Sequence, residues 1–312
     1  MLRYAASRLL GIVPTLFLVI TLAFFVVRLA PGGPFDQEAT LAPEIRANLE
    51  AAYGLDQPMW VQYGRYLHGL MHGDFGPSFK YRDLSVTELI RQGLPVSLTL
   101  GSLALLLATV GGVAAGCMAA LGRGRWLDPL VMSVAVVGMI VPVLVVAPLM
   151  QLIFGIWLQW LPVSGWRAGR VADLVLPVVT LALPLMAYIA RLTRGSMLEV
   201  LTAPYILTAE AKGLPRRRIV LRHALPAALL PVVSYLGPAA AMVLTGSLVV
   251  EKLFGLPGSG RYLIEGALNR DYTLVLGMTV VVATLTLAFN LIADLIHAWL
   301  DPRVRRHTGA FL

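Results

Sequence analysis

Charged residues and cysteine are both scarce in this sequence. Only 13% of its 312 residues are charged, whereas 58% are hydrophobic, and the mean hydropathy is +0.77. Soluble globular domains carry about 25% charged residues, so the composition excludes that class and indicates an integral membrane protein. The single cysteine, Cys117, can form no disulfide within the chain, and a four-cysteine zinc site is excluded.

Motifs for nucleotide hydrolysis, proteolysis and metal binding are also missing. The chain has no GxxxxGK[ST] phosphate loop, and the glycine-rich stretch 255–260 lacks the lysine that such a loop needs. It has no GxSxG nucleophile elbow either. His68 and His72 stand four residues apart, but Gly69 replaces the glutamate of a zinc-protease helix. We therefore expect no catalytic residue, metal or cofactor in this chain.

Long apolar runs are what the sequence has instead. About 20 apolar residues in a helix cross the hydrocarbon core of a bilayer. Six runs contain no charged residue or histidine, at 9–27, 96–121, 129–157, 174–190, 224–250 and 272–293. The sequence therefore predicts an all-α integral membrane protein with six transmembrane helices in the lipid bilayer.

The net charge of +8 is distributed unevenly over the loops. Six spans place both termini on one side, so the loops fall into two groups. The group with the termini and the loops 122–128 and 191–223 has a net charge of +10, whereas the other group has −1. Basic loops of membrane proteins face the cytoplasm, so we expect both termini there. Topology accounts for the basic excess, and we expect no nucleic acid as a partner.

The predicted spans divide the chain into four parts. Residues 1–31 form the first transmembrane helix, and 32–95 a module outside the membrane with amphipathic helices at 41–53 and 59–71. Residues 96–300 form a five-helix core that includes the cytoplasmic loop 191–223, and 301–312 a cytoplasmic tail. The outside module is explained either by contact with another molecule or by a cap over the helix ends.

Proline pairs and one acid mark the spans themselves. Spans three to five contain Pro142 and Pro148, Pro177 and Pro184, and Pro226 and Pro231. Proline bends membrane helices, which favours helices that line a cavity and rearrange, although static bundles contain kinks too. Asp294 lies inside the last span, five residues before Trp299. A structural ion pair with Arg303 or a neighbouring helix is favoured over a proton relay.

The cytoplasmic loop predicts a short helix between two stops. Pro204 suits a first helical turn, Gly213 a left-handed cap, and Pro215 ends any continuation. The residues between them include the small side chains of Thr208, Ala209 and Ala211, which leave room to enter a groove on a partner. The alternative is a solvated basic loop that meets anionic lipid.

The segment YILTAEAKGLPRRRIVLRHALPAALLP at 205–231 resembles the coupling loop of ABC importer permeases. The match extends over nearly the whole chain and points to the oligopeptide, dipeptide and nickel group, closest to the B subunits of oligopeptide permeases. It is carried by LAPGGPFD at 29–36, LDQP at 55–58, GDFGPSFKY at 73–81, GLPGSGR at 255–261, LNRDYTLV at 268–275 and LDPR at 300–303.

This resemblance implies partners and site residues. The partners are a homologous second permease, two ATPase subunits that bind ATP and magnesium, and an extracytoplasmic substrate-binding protein. The implied ATPase-coupling residues are Tyr205, Thr208, Ala209, Glu210, Ala211, Lys212, Gly213 and Pro226. The implied outer-gate residues are Gly255, Pro257, Gly258, Gly260 and Arg261. This stretch predicts a tight turn followed by a short helix at 261–268, so we expect Gly258→Val to abolish uptake through backbone strain. The chain departs from the family at Leu207, where a glutamate or arginine is usual, and at Glu210, where arginine is common.

Other functions stay open at this stage. Dipeptide, glutathione or nickel import would use the same machinery. A secondary transporter or channel would need ion-coordinating residues at mid-membrane, where only Asp294 comes close. An intramembrane enzyme is disfavoured by the missing nucleophile and base.

Overall fold

The computed structural model describes residues 2–29, 44, 51, 54–81, 83–167 and 169–300. The predicted tail 301–312 lies outside the described residues, as does the predicted helix 41–53 apart from Glu44 and Ala51. The predicted helix 59–71 is confirmed with the same bounds, Met59–Met71.

Helices joined by turns make up the described chain, which confirms the predicted all-α class. Two π-helical segments, Gln151–Trp157 and Ile219–Ala224, continue α-helices. The α-helices are α1 (Leu2–Leu29), α2 (Met59–Met71), α3 (Val86–Leu121), α4 (Leu127–Ile140), α5 (Val143–Met150), α6 (Ala172–Leu201), α7 (Pro204–Ala211), α8 (Arg216–Arg218), α9 (Leu225–Ala228), α10 (Leu230–Phe254), α11 (Ser259–Leu268) and α12 (Tyr272–Leu300).

The six predicted spans correspond to four continuous helices and two bent pairs. Within the described residues, the apolar helices long enough to cross a membrane are Arg8–Leu29, Val86–Leu121, Ala172–Leu201 and Tyr272–Ile296. The pair Leu127–Ile140 and Val143–Trp157 is bent by 105°, and the pair Arg216–Ala228 and Leu230–Val243 by 48°. The described part of the chain therefore has up to six spans, depending on whether each bent pair counts as one.

Proline explains where both pairs bend. Pro142 forces the residue before it out of the helical region, and Val141 is accordingly extended, with φ −72° and ψ 120°. In the other pair α9 ends at Ala228, and Pro231 occupies the first turn of α10. Proline there costs no helical hydrogen bond. Pro177 and Pro184 lie inside α6, which continues through both.

The chain forms two compact units. The large unit contains Met1–Leu10, Leu98–Leu256 and Thr286–Leu312, and the small unit contains Gly11–Ser97 and Pro257–Leu285. The small unit thus holds α2, α11 and parts of α1, α3 and α12. The predicted division at residues 31, 95 and 300 concerns the sides of the membrane and stays a prediction.

Close backbone approach holds α3 against α6 in the large unit. A Cβ atom at Gly112 would lie 2.8 Å from Ile189, and one at Gly116 would lie 2.5 Å from the carbonyl oxygen of Ala190. Small residues allow such contact between membrane helices, where packing is the main source of association energy. Two glycines one turn apart therefore position α6, whose C-terminal end leads into the loop 202–215.

An ion pair joins α4 to α6. Arg194 on α6 donates from Nε to Oδ1 of Asp128 at 2.5 Å and from Nη2 to Oδ2 at 2.7 Å. Asp128 is buried. Two parallel hydrogen bonds fix both side chains in one geometry, so this pair orients α4 relative to α6.

Candidate functional site

The short helix predicted between Pro204 and Gly213 is confirmed as α7, Pro204–Ala211. Pro204 stands in the first turn, and its carbonyl oxygen accepts a hydrogen bond from Thr208 Oγ1 at 2.9 Å. Gly213 has φ +71°, the left-handed conformation expected of a helix cap. The amide of Leu214 then donates to the carbonyl of Ala209 at 3.3 Å. The helix is thus closed at both ends by its own sequence.

One face of α7 is buried in a hydrophobic cluster of the large unit. Ile206 is 0% exposed and Ala209 is 8% exposed, and both pack with Met197 at the end of α6 and with Ile219 and Val220 of the π-helical segment. This placement corrects the expectation that Ala209 presents its small side chain to a partner. Its size is required instead by packing within the chain, which fixes α7 on the end of α6.

The opposite face of α7 is open to solvent. Tyr205 is 49% exposed and Leu207 is 54% exposed. The other exposed positions among the predicted coupling residues are Thr208, Glu210, Ala211, Lys212 and Gly213. Pro226 is also exposed, but it lies in the first turn of α9 rather than on this helix. A rigid helix with a buried base and an exposed outer face is suited to contact with a second protein.

Among the outer-gate candidates, Gly255 makes the tight turn that ends α10. Its φ is +66°, and the amide of Leu256 donates to the carbonyl of Glu251 at 2.8 Å. A residue with a Cβ pays a steric penalty in this conformation, and glycine does not. The glycine at the helix end is therefore explained by backbone geometry.

Gly258 has a different role, which corrects the expectation that its substitution acts through backbone strain. Its φ is −90° and its ψ is 167°, a conformation open to any residue. Gly258, Ser259 and Gly260 are buried in the small unit. A Cβ at Gly93 of α3 would lie 2.7 Å from the amide nitrogen of Ser259. Close packing, rather than a special dihedral angle, therefore limits the size of the side chain at position 258.

A pair of hydroxyl groups fixes the start of α11. The Oγ atoms of Ser97 and Ser259 lie 2.8 Å apart, and the amide of Ser259 donates to Ser97 Oγ at 2.9 Å. Both side chains are buried. The predicted helix 261–268 is confirmed, and it begins two residues earlier than predicted, at Ser259.

Arg261, the last gate candidate, is held by a carboxylate on its own helix. Its Nε donates to Oε1 of Glu265 at 2.8 Å, and this hydrogen bond raises the pKa of Arg261. Tyr81 donates to the other oxygen of Glu265. Burial, followed by the bond to Glu265, raises the pKa of Tyr81 well above its usual range. The tyrosine therefore stays a neutral donor at physiological pH.

A buried carboxylate that sequence reasoning missed organises the rest of the small unit. Asp271 is 0% exposed, and its Oδ2 accepts hydrogen bonds from Ser78 Oγ at 2.5 Å, Phe79 N at 3.0 Å and Lys80 N at 3.1 Å. Its Oδ1 accepts from Leu274 N at 3.0 Å, which caps α12. The two motifs GDFGPSFKY and LNRDYTLV were the available signal, since each contains one half of this site.

Asp294 forms an ion pair with a neighbouring helix of the large unit. Its Oδ2 lies 3.3 Å from Nη1 of Arg8 on α1. This is one of the two partners that the sequence suggests, and the other, Arg303, lies outside the described residues. The aspartate is thus placed in a structural contact between α1 and α12.

Within the described ranges, no group of three or more His, Cys, Asp or Glu residues could hold a metal ion. The rings of His68 and His72 lie 4.5 Å apart, and His72 Nδ1 is hydrogen-bonded to the carbonyl oxygen of His68 at 2.8 Å. That nitrogen of His72 is engaged by the backbone.

Family comparisons cover almost the whole chain. Residues 112–306 match the family described as "Binding-protein-dependent transport system inner membrane component". Residues 1–101 match its N-terminal counterpart, "Binding-prot-dependent transport system membrane comp, N-term". Both matches agree with the resemblance carried by the coupling loop and the flanking motifs.

Individual relatives are similar over their full length. The oligopeptide transport system permease protein OppB of Escherichia coli K12 is 53% identical over 305 residues, covering 98% of this chain and 100% of the relative. The dipeptide transport system permease protein DppB of Bacillus subtilis 168 is 41% identical over 307 residues, covering 98% and 99%.

Solved structures support the fold. The inward-facing MetNI methionine ABC transporter has a chain that superposes with a TM-score of 0.56 at 19% identity, covering 68% of this chain and 96% of its own. With its multiple apolar helices and these full-length relatives, the chain belongs to the family of inner-membrane permease subunits of binding-protein-dependent ABC importers.

Proposed function

We propose that this chain forms one half of the translocation path of an ATP-driven importer of oligopeptides. The observation that carries the proposal is the 53% identity to an oligopeptide permease along the whole chain, which includes the loop that contains α7. Dipeptides are the second candidate cargo, because the 41% identical relative is a dipeptide permease. Glutathione and nickel import rest on the resemblance alone.

The proposed partners follow from what this chain does not contain. It has no phosphate loop, so ATP and magnesium would be bound by two separate ATPase subunits. A homologous permease would complete the path, and a substrate-binding protein would deliver the peptide to the outside module. The exposed face of α7 is the proposed contact for one ATPase.

The proposed mechanism uses the rigidity of α7. Closure of the ATPases on ATP would push on the exposed face of α7, and its buried face would transmit that displacement to α6 through Met197 and Ile206. Packed elements move as units because interfaces have discrete arrangements. The bent helices α4–α5 and α9–α10 are the proposed elements that rearrange between outward and inward access.

The test is uptake in proteoliposomes that contain the full complex. We expect labelled trialanine to accumulate only with ATP inside, with the binding protein outside and with this chain present. A complex with a substituted phosphate-loop lysine in both ATPases is the control. Accumulation that persists in that control would favour a secondary transporter.

Orientation is part of the same proposal. The net charges of +10 and −1 on the two groups of loops support a cytoplasmic location for both termini. In a Cys117→Ser background, Arg217→Cys should resist an impermeant thiol reagent in intact cells, and Asp83→Cys should react with it. If the reagent labels position 217 from outside, the proposed orientation is wrong.

A further inference from the structure

The small unit contains a cavity of about 320 Å³ that is lined by both polar and apolar residues, and none of the predicted site residues belongs to that lining. It lies between the end of α1, one side of α2, the turn that follows α2, and the start of α12. Its polar lining includes Arg28, Gln62, Arg65, Tyr66, His68, Asp74 and Thr273. Glycines, Pro77 and two phenylalanines complete the wall.

Two guanidinium groups of this lining have no acidic partner among the described residues. Arg28 donates to Oε1 of Gln62, and its guanidinium carbon lies 5.3 Å above the ring of Phe24. A hydrogen bond and a cation–π contact therefore hold the arginine in place without neutralising it. Arg65 is exposed, and its terminal nitrogen lies against Gly54.

The one acid in the lining does not cancel this charge. Asp74 Oδ1 accepts a hydrogen bond from the amide of Gly76 at 2.9 Å, which stabilises the turn after α2. Two arginines and one aspartate leave the lining with one net positive charge, apart from His68. Such a lining matches a group with one negative charge.

Two buried donors in the same lining lack an acceptor within the part of the chain that the structure describes. They are Nε of Arg28 and the hydroxyl of Tyr66. Burial raises the pKa of Tyr66 well above its usual range, so its hydroxyl keeps the proton and remains a donor. Buried polar groups are nearly always hydrogen-bonded, so an unsatisfied pair in one cavity wall calls for an acceptor.

We propose that this cavity is a binding site for a single carboxylate group, held by Arg28 and Arg65. Arginine forms a planar pair of hydrogen bonds with a carboxylate, and the geometry suits that anion. A cation is disfavoured by the two guanidinium groups, and a dianionic phosphate by Asp74 in the same wall. The cavity is large enough for one side chain or one peptide terminus.

The carboxylate has two possible sources. One is the C-terminus of a short peptide, a case that rests on the proposed function. The other is an acidic side chain of the substrate-binding protein docked on this unit. The chemistry of recognition is the same in both cases, and binding measurements distinguish them without any transport.

The test is isothermal titration of the purified complex, free of binding protein, with trialanine and with trialaninamide. We expect trialanine to bind in a saturable way, and the amide to bind at least tenfold more weakly. Arg65→Gln should weaken trialanine binding at least tenfold, and Arg28→Gln should do the same if the variant folds. Arg91→Gln is the matched control, since Arg91 is an exposed arginine of the same unit outside the cavity wall.

A second titration with the ligand-free binding protein covers the other source. If trialanine does not bind, but Arg65→Gln weakens the affinity for the binding protein at least tenfold and Arg91→Gln does not, the carboxylate belongs to that protein. If Arg65→Gln changes neither affinity, the carboxylate site is refuted. If binding depends on Arg65 but the complex shows no ATP-driven uptake, the carboxylate site is supported and the proposed function is rejected.

Discussion

Asp271 illustrates how one residue can organise a whole segment of the small unit. Its two oxygens accept four hydrogen bonds, three of them from Ser78, Phe79 and Lys80. The turn at 78–80 is thereby fixed on the first turn of α12. Since the carboxylate is fully buried, water cannot replace it as the acceptor for these donors.

We therefore expect Asp271→Ala to destabilise the small unit by about 3 kcal/mol. Loss of a helix cap costs about 1 kcal/mol, and each buried donor left without an acceptor costs about 1 to 3 kcal/mol. Hydrogen exchange should show faster exchange of the amides of Phe79, Lys80 and Leu274. Asp83→Ala, at an exposed aspartate nearby, should leave those rates unchanged. Equal rates in both variants would remove the anchoring role of Asp271.

Single residues also show what the sequence could and could not predict. Gly213 was predicted as a left-handed cap because glycine follows a short helix, and its φ of +71° confirms it. Gly258 looked the same in sequence, yet its backbone is extended. Its burial depends on α3, far away in the chain. The bond between Ser78 and Asp271 spans 193 positions, and no local pattern predicts such a contact.

At the scale of elements, α7 shows both what the sequence predicts and what it cannot predict. Proline and glycine predicted both of its ends, because these residues act through their own backbone. Which face is buried depends on Met197, Ile219 and Val220, which belong to other elements. Ala209 therefore lies on the buried face and not, as its small size in the sequence suggests, on the exposed one. The position of the bend at Pro142 was also predictable, but its angle of 105° was not.

At Gly213 the effect of backbone conformation can be tested separately from the effect of side-chain size. No atom lies within 4 Å of the place where a Cβ would stand, so a side chain there meets open space. Valine still pays about 1 to 2 kcal/mol for the left-handed conformation, whereas asparagine tolerates it. We expect Gly213→Val to keep the ATPases bound but to raise the ATP hydrolysed per peptide transported several-fold.

Gly213→Asn is the matched variant, and it should keep the ratio of ATP to peptide near the wild-type value. Both variants are compared in proteoliposomes at equal complex content. If the asparagine variant is uncoupled as strongly as the valine variant, the effect comes from the side chain and not from the direction of the backbone after α7.

At the scale of the whole molecule, composition predicts the class of protein but not its compact units. Hydropathy predicted a helical membrane protein with up to six spans, because every backbone group in lipid must be paired within a helix. The compact units instead combine segments such as Gly11–Ser97 and Pro257–Leu285, which are distant in the chain. Packing between distant helices sets these units, and composition carries no signal for it.

The central claim is that α7 transmits the work of ATPase subunits to this permease. Ala211 is an exposed small residue of α7, so tryptophan at this position leaves the buried face of the helix intact. Ala209→Trp is unsuitable, because it would disrupt the chain's own packing. Overpacking a fitted contact costs about 1 to 3 kcal/mol, which weakens association roughly five- to 150-fold.

The decisive measurement is ATPase recovery and ATP-driven peptide uptake for Ala211→Trp beside Arg123→Trp, a tryptophan in another exposed loop predicted on the same side. We predict that Ala211→Trp loses the ATPases on purification and loses uptake, while Arg123→Trp retains both. Full recovery of the ATPases and full uptake in Ala211→Trp would contradict the account, because a helix inserted in a partner's groove cannot accept that bulk.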